Sequence, residues 1–502
     1  MQTPQAIVIG GGFSGLSTAI NLAHKGLNVT ILEKNEQVGG RARLYQEKGF
    51  TFDMGPSWYW MPDVFERFFE KFDRKVSDYY TLHRLDPGYE VYFPEGDKVS
   101  VDANLESLGK WMERREPGSF AKLTQFLKEA EYKYEVGIND LVYKPSRSIT
   151  EFIDVRLLKG LVRMHVLRSM RKHVSSFFKD PYIRQLMEFP ILFLGAVPDN
   201  TPALYSLMNY ADLKLGTWYP EGGMYSVVQG MEKLALELGV NIQLDTEVTG
   251  FEFNDKSISA VNTNKGTFDA DVVVASADYN HVDQKLLPKK FSNYTPSYWD
   301  RRKMAPSSLL FYVGINCKVK NMEHHCLFFD APFDEHADAI YTNPRWPETP
   351  LYYVSNTSKT DKHVAPEGGE ALTFLIPLAP DLEDTEEMRE KYFNMIMDRF
   401  EESMGQSIRN NIVLKRSYAM LDFKKDYHAF KGNAYGLANT LDQTAILKPS
   451  LKNRHLKNLY YAGQLTVPGP GVPPSLISGI VVGDEIVKDF NWNLKQNTTV
   501  TV

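Results

Sequence analysis

Apolar positions near the start of the chain change period within a few residues. Ala6–Ile9 is a continuous apolar run of strand length, and Leu16, Ala19, Ile20 and Ala23 then recur at helical spacing. Val29–Leu32 is a second short apolar run, and it ends at Glu33. The order predicts a buried strand, a turn, a helix and a second strand. The same rhythm resumes near residue 216. A helix is expected over 225–238, strands at 241–244 and 247–253, and a hairpin pair at 257–263 and 266–270. A β-branched strand then runs from Asp271 toward the small-residue turn at Ser276–Ala277. Near the end, 458–461 reads as a strand and 475–488 as a helix of small residues.

Two blocks break this rhythm. The first spans 76–215; within it, residues 76–150 mix charged and aromatic positions, with short strands expected at 89–93 and 98–101 and a helix over 119–136. Residues 291–420 carry strong strands at 309–315 and 372–377. A helix within 382–404 starts on acids, which suits a helix N-terminus. The pattern is α/β: a Rossmann-like domain in three pieces (1–75, 216–290 and 421–502), with a mixed α+β domain inserted as 76–215 and 291–420. A chain of 502 residues has room for both.

The turns carry the chemistry. Gly10-x-Gly12-x-x-Gly15 joins the first strand to the first helix, and Glu33 lies 23 residues beyond Gly10. Gly10 allows the tight turn, Gly12 lets a pyrophosphate approach the backbone, and Gly15 lets helix and strand pack closely. The helix N-terminus offers free N–H groups to phosphates. Glu33 can accept hydrogen bonds from a ribose diol. Gly39–Gly40–Arg41 follows the second strand and pairs close backbone approach with a cation suited to a diphosphate. Asp53-x-Gly55-Pro56-Ser57 ends an alternating strand, and Trp58–Tyr59–Trp60–Met61 comes next, as a pocket wall or as inter-domain packing. Pro220-x-Gly222-Gly223 and the loop Pro468–Pro474 are further close-approach turns.

Composition alters this picture little. The net charge of −6 gives no reason to expect nucleic acid, and two cysteines rule out a disulfide framework. His324–His325–Cys326 has no further ligands at metal spacing, so no metal is expected. The first residues lack the basic region of a signal peptide, and no apolar run is long enough to span a bilayer. Residues 155–179 do change the picture. They carry Arg156, Lys159, Arg163, Arg168, Arg171, Lys172 and Lys179 and no acid, interleaved with leucine, valine, methionine and phenylalanine. That composition fits a segment contacting an anionic membrane surface, with a solvated basic helix as the alternative.

Taken together, these motifs resemble the bacterial phytoene desaturase type of carotenoid desaturase, over nearly the whole chain. The residues that carry the resemblance are Val8-x-Gly10-Gly-Gly12-x-x-Gly15, Glu33-x5-Gly39-Gly40-Arg41, Asp53-x-Gly55-Pro56-Ser57, Pro220-x-Gly222-Gly223 and Tyr461-x-Gly463 with Pro468, Gly469 and Gly471. One departure is Gly463–Gln464–Leu465–Thr466–Val467–Pro468–Gly469, where relatives often read Gly-Ala-Gly-Thr-x-Pro-Gly. The resemblance implies a glutathione-reductase-like domain holding FAD in an extended form. It implies removal of two hydrogens from an apolar C40 polyene, with hydride equivalents passing to FAD and then to oxygen or a quinone. It implies a cytoplasmic enzyme attached peripherally to the inner face of the cell membrane.

The FAD-binding residues expected on this basis are Gly10, Gly12, Phe13, Ser14, Gly15, Glu33, Lys34, Gly40, Arg41, Gly55, Pro56, Ser57, Val248, Ser276, Gly463 and Val472. Asp154 and Arg156 fall where an acid–base pair has been suggested in relatives. Desaturation of a hydroxylated carotenoid at its 3,4 position is the near alternative. An amine- or porphyrinogen-oxidising flavoenzyme and a non-catalytic binder of prenyl or lipid cargo are the alternatives of other classes.

Overall fold

The computed structural model describes residues 3–148, 151, 168–195, 197–440 and 442–490. Its first layer is a five-stranded parallel sheet in the order Leu459–Tyr461, Val272–Ala275, Gln5–Ile9, Asn28–Leu32, Asn241–Gln243. The strands come from three distant parts of the chain. They read as short continuous apolar runs because helices and loops cover both faces of a parallel sheet. Ala6, Val8, Val272, Val273 and Val274 are all fully buried.

The Phe13–His24 helix and the Val472–Phe490 helix pack on this sheet and on each other. Small residues make that contact possible. A Cβ on Gly479 would lie 2.5 Å from the Ser14 carbonyl oxygen, and one on Gly483 would lie 2.5 Å from Asn21 Nδ2. Ser17 Oγ donates to the Leu476 carbonyl at 2.7 Å, and Asn21 Nδ2 to the Ile480 carbonyl at 3.0 Å. Both helices start three residues earlier than the apolar period alone suggests. Gly15 falls in the first turn of one, and Pro473 and Pro474 in the first turn of the other, where a missing N–H costs nothing. An antiparallel sheet of Val248–Asn254, Ser257–Thr263 and Gly266–Asp269 completes this part of the molecule.

The second large element is a seven-stranded mixed sheet. Its order is Ile412–Tyr418, Ser307–Ile315, Glu370–Leu378, Tyr352–Asn356, His325–Phe328, Tyr89–Tyr92, Lys98–Val101. All pairs are antiparallel except His325–Phe328 with Tyr89–Tyr92. Ser307–Ile315 is buried along its whole length. Leu309, Phe311 and Val313 face a core shared with the Glu386–Met404 helix, while Leu310 and Tyr312 face the nucleotide-type sheet and its surroundings. The helix expected over 119–136 is present as Ser119–Val136.

The described part of the basic block differs from a free membrane-facing helix. Met170, Val174 and Phe178 are buried in the core. Arg171 pairs with Asp334 at 2.7 Å, Asp199 at 3.1 Å and Glu188 at 3.7 Å. The block holds no acid of its own, but the fold brings acids to it. Residues 155–167, with Arg156, Lys159 and Arg163, lie outside the described residues, as does Asp154. No helix of the described residues is long and apolar enough to cross a membrane.

Candidate cofactor and substrate cleft

One elongated cleft runs from the C-terminal edge of the parallel sheet to the seven-stranded sheet. It encloses about 1630 Å³ of empty space, part of it open to solvent. All the expected cofactor residues except Gly15 and Ser57 line it. Gly15 is turned inward: a Cβ there would sit 1.9 Å from the Gly10 carbonyl oxygen, so its place is helix–strand packing. Ser57 is turned toward the seven-stranded sheet, where its Oγ meets Tyr353 Oη at 2.9 Å.

The turn geometry follows from the glycines. Gly10 has φ +97°, in the left-handed region that favours glycine, and it closes against the Ser276–Ala277 backbone. A Cβ on Gly12 would meet nothing nearer than the Gly40 Cα at 3.9 Å, so that backbone opens onto the cleft. Gly39 N donates to the Gly11 carbonyl at 2.7 Å, which brings the second glycine pair beside the first. Ser14 Oγ and Ser276 Oγ meet at 2.6 Å.

Glu33 is buried at the end of the second strand. It accepts from Gly11 N at 2.7 Å, Asn35 N at 2.9 Å and Asn35 Nδ2 at 3.0 Å. Burial raises its pKa, and these N–H donors oppose the rise. Lys34 Nζ donates to the Lys425 carbonyl. Arg41 donates to the Asn433 carbonyl at 3.2 Å. The Gln464 amide, turned with its oxygen toward Arg41, accepts from Nη1 at 3.1 Å and Nη2 at 3.0 Å. Arg41 Nε remains shut off from solvent without a hydrogen-bond partner. Burial pulls the guanidinium pKa down, and Asp278 opposes this. A buried guanidinium with a spare donor beside an open glycine turn fits a diphosphate-bearing group such as FAD.

Several lining residues carry no turn signal and were not expected. His428 Nε2 lies 2.8 Å from Glu247 Oε1, and its ring stacks on His281 with centroids 4.0 Å apart. Burial, with His428 beside it, pushes the His281 pKa down to about 4. Asp426 and Tyr427 also line the cleft. So do Leu310 and Leu375 from the seven-stranded sheet, which give its far end an apolar floor. Asp53 acts from behind. It accepts from Met224 N at 2.8 Å and Tyr225 N at 3.0 Å, capping the Met224–Glu237 helix from another segment. Tyr59, Trp60 and Met61 are buried in the core, so this part of the aromatic run serves packing. Among the described residues no three histidine, cysteine or carboxylate side chains gather as metal ligands.

Comparison with known proteins places this geometry. Residues 13–487 match the flavin containing amine oxidoreductase family. The carotenoid 3,4-desaturase of Haloarcula japonica is 40% identical over 484 residues, 96% of this chain and 98% of that protein. The zeta-carotene-forming phytoene desaturase of Myxococcus xanthus is 32% identical over 493 residues, 97% of this chain and 94% of that protein. The crystal structure of an oxidoreductase from Methanosarcina mazei aligns with TM-score 0.62 at 16% identity. It covers 96% of this chain and 100% of that one, a likeness of fold.

Proposed function

Because the chain belongs to the flavin containing amine oxidoreductase family, and within it to the carotenoid desaturases, we propose that it desaturates phytoene toward neurosporene or lycopene with FAD. The observation that carries the reading is one cleft with a polar nucleotide end and an apolar floor. Gly10, Gly12, Phe13, Ser14, Gly40 and Arg41 hold the diphosphate, and Glu33 the ribose. Val248, Ser276 and Lys34 border the adenosine half. Gly55, Pro56, Gly463 and Val472 border the ring. Gly15 and Ser57 support these turns from behind. FAD, when bound there, supplies the two-electron oxidation. Leu310 and Leu375 exclude water and hold the polyene against it.

The pieces 1–75, 216–290 and 421–502 make up the cofactor domain, and 76–215 with 291–420 the substrate domain. A C40 polyene is too apolar to diffuse through water. The enzyme therefore works peripherally at the anionic inner face of the cell membrane, on the cytoplasmic side. Residues 155–179 supply the contact, and oxygen or a quinone takes the electrons. Asp154 and Arg156 belong to that surface and to any acid–base work there.

A second reading is supported by the 40% identity to a carotenoid 3,4-desaturase: oxidation of a hydroxylated carotenoid at the 3,4 bond. Expression in cells that accumulate phytoene separates the two. Coloured, longer-wavelength pigment is the result expected for the first. Unchanged phytoene with FAD-loaded protein rejects it and moves the test to hydroxylated carotenoids. Inactivity on both would favour an amine or porphyrinogen oxidase.

A further inference from the structure

Two side chains that line the cleft, Arg41 and Gln464, hold each other there. Arg41 follows the second glycine pair, and Gln464 follows Gly463 after the Leu459–Tyr461 strand. At Gln464 the closing motif departs from Gly-Ala-Gly-Thr, so an amide stands in place of a methyl group. The fold makes room for it. Gly436 has φ +91°, and a Cβ there would lie 2.8 Å from Gln464 Cγ and 2.9 Å from the Gln464 carbonyl oxygen.

Arg41 is held at its backbone, its guanidinium carbon and its tip. A Cβ on Gly55 would sit 2.3 Å from the Arg41 carbonyl oxygen, so the two backbones are in contact. Arg41 Cζ lies 5.2 Å from the centre of the Tyr427 ring, as does Arg43 Cζ, and Asp426 holds Arg43 at 2.6 Å. The Gln464 side-chain oxygen accepts from Nη1 at 3.1 Å and Nη2 at 3.0 Å, and the Asn433 carbonyl accepts from Nη2 at 3.2 Å. The amide oxygen faces Arg41 because its NH₂ would meet only donors there. Both acceptors at the tip are neutral, so they fix the guanidinium without cancelling its charge. A carboxylate in either place would compete with a phosphate. Asp278, the acid beside Arg41, accepts instead from His281 N and Phe430 N, each at 3.1 Å. Arg41 Nε, buried and without a partner, is left over.

We propose that Gln464 is a positioning residue: it holds the tip of Arg41 so that the spare Nε–H and the full positive charge serve the diphosphate of FAD. The proposal rests on the assignment of that diphosphate to the glycine turns and Arg41. An unheld arginine loses rotamer freedom when it closes on a phosphate, and one already held loses less.

Phosphorus-31 NMR of the full chain at saturating FAD tests this, together with FAD affinity. Gln464→Met keeps the length of the side chain over Gly436 and removes the acceptor. It should shift a diphosphate resonance of bound FAD in the same direction as Arg41→Met, and weaken FAD binding about 10-fold. Gln464→Ala should repeat both effects. In Arg41→Met protein, Gln464→Met should change the affinity less than about 2-fold, because its effect runs through Arg41. A diphosphate signal unmoved by both Gln464 variants, or an equal loss of affinity with and without Arg41, overturns the positioning role and leaves Arg41 as a diphosphate ligand. A signal unmoved by Arg41→Met overturns that assignment, and the positioning role with it. Neither measurement uses a carotenoid, so the desaturase reading is judged separately.

Discussion

Glu33 Oε2 accepts the backbone N–H of Gly11 at 2.7 Å, tying the end of the second strand to the glycine turn after the first. The glycine turn and the acid that ends the second strand therefore brace each other. Glu33→Ala should weaken FAD binding about 10- to 100-fold, since it removes a charged hydrogen-bond partner from both the ribose and Gly11. Glu33→Gln, which keeps one acceptor oxygen, should lose less. Fluorescence titration of flavin-free protein with FAD measures both.

Gly12 and Gly15 lie three residues apart and should fail differently. Gly12→Val points a side chain into the cleft, so it should abolish FAD binding and leave the melting temperature of flavin-free protein nearly unchanged. Gly15→Ala forces a methyl to within 1.9 Å of the Gly10 carbonyl oxygen. It should cost about 3 kcal/mol of folding stability before any cofactor is added. Thermal melts of the flavin-free proteins separate the two effects.

Asp53 caps a helix that begins 171 residues away, accepting from Met224 N and Tyr225 N. Asp53→Ala should lower stability by about 1–2 kcal/mol, the usual loss for a helix cap. Denaturant unfolding at fixed slope reads this directly.

Lys448 is 5% exposed, and its Nζ has no hydrogen-bond partner. Burial pushes its pKa down from 10.5 to about 7. The unfolded chain keeps the proton up to about pH 10.4. Between roughly pH 7 and pH 10 the unfolded state therefore binds more protons, and stability from this site rises with pH. Lys448→Met should stabilise flavin-free protein by on the order of 2–4 kcal/mol at pH 7. The advantage should shrink steadily as the pH approaches 10. A constant advantage across that range would contradict a buried, strained cation.

Much of this was legible in the residues because the nucleotide end is written in turns. Gly10, Gly39, Gly40 and Gly463 have positive φ, which makes glycine conspicuous at those points. The floor of the cleft left no such mark. Leu310 and Leu375 sit in strands that read as any buried strand does. Glu247, His281 and His428 come from three segments and meet only in the fold. The described end of the basic block shows the same limit. Glu188, Asp199 and Asp334 pair with Arg171 from outside the window, so no local count of charge could reveal them. Ser57 read as a cofactor contact because of its motif, but its side chain points to Tyr353 on a strand 296 residues away.

The most direct test of the central claim is anaerobic mixing of FAD-loaded protein with phytoene in anionic vesicles. The account predicts bleaching of the flavin's visible absorbance together with a longer conjugated polyene, one new double bond for each flavin reduced. Bleaching by a polar amine with no change in any carotenoid would contradict it.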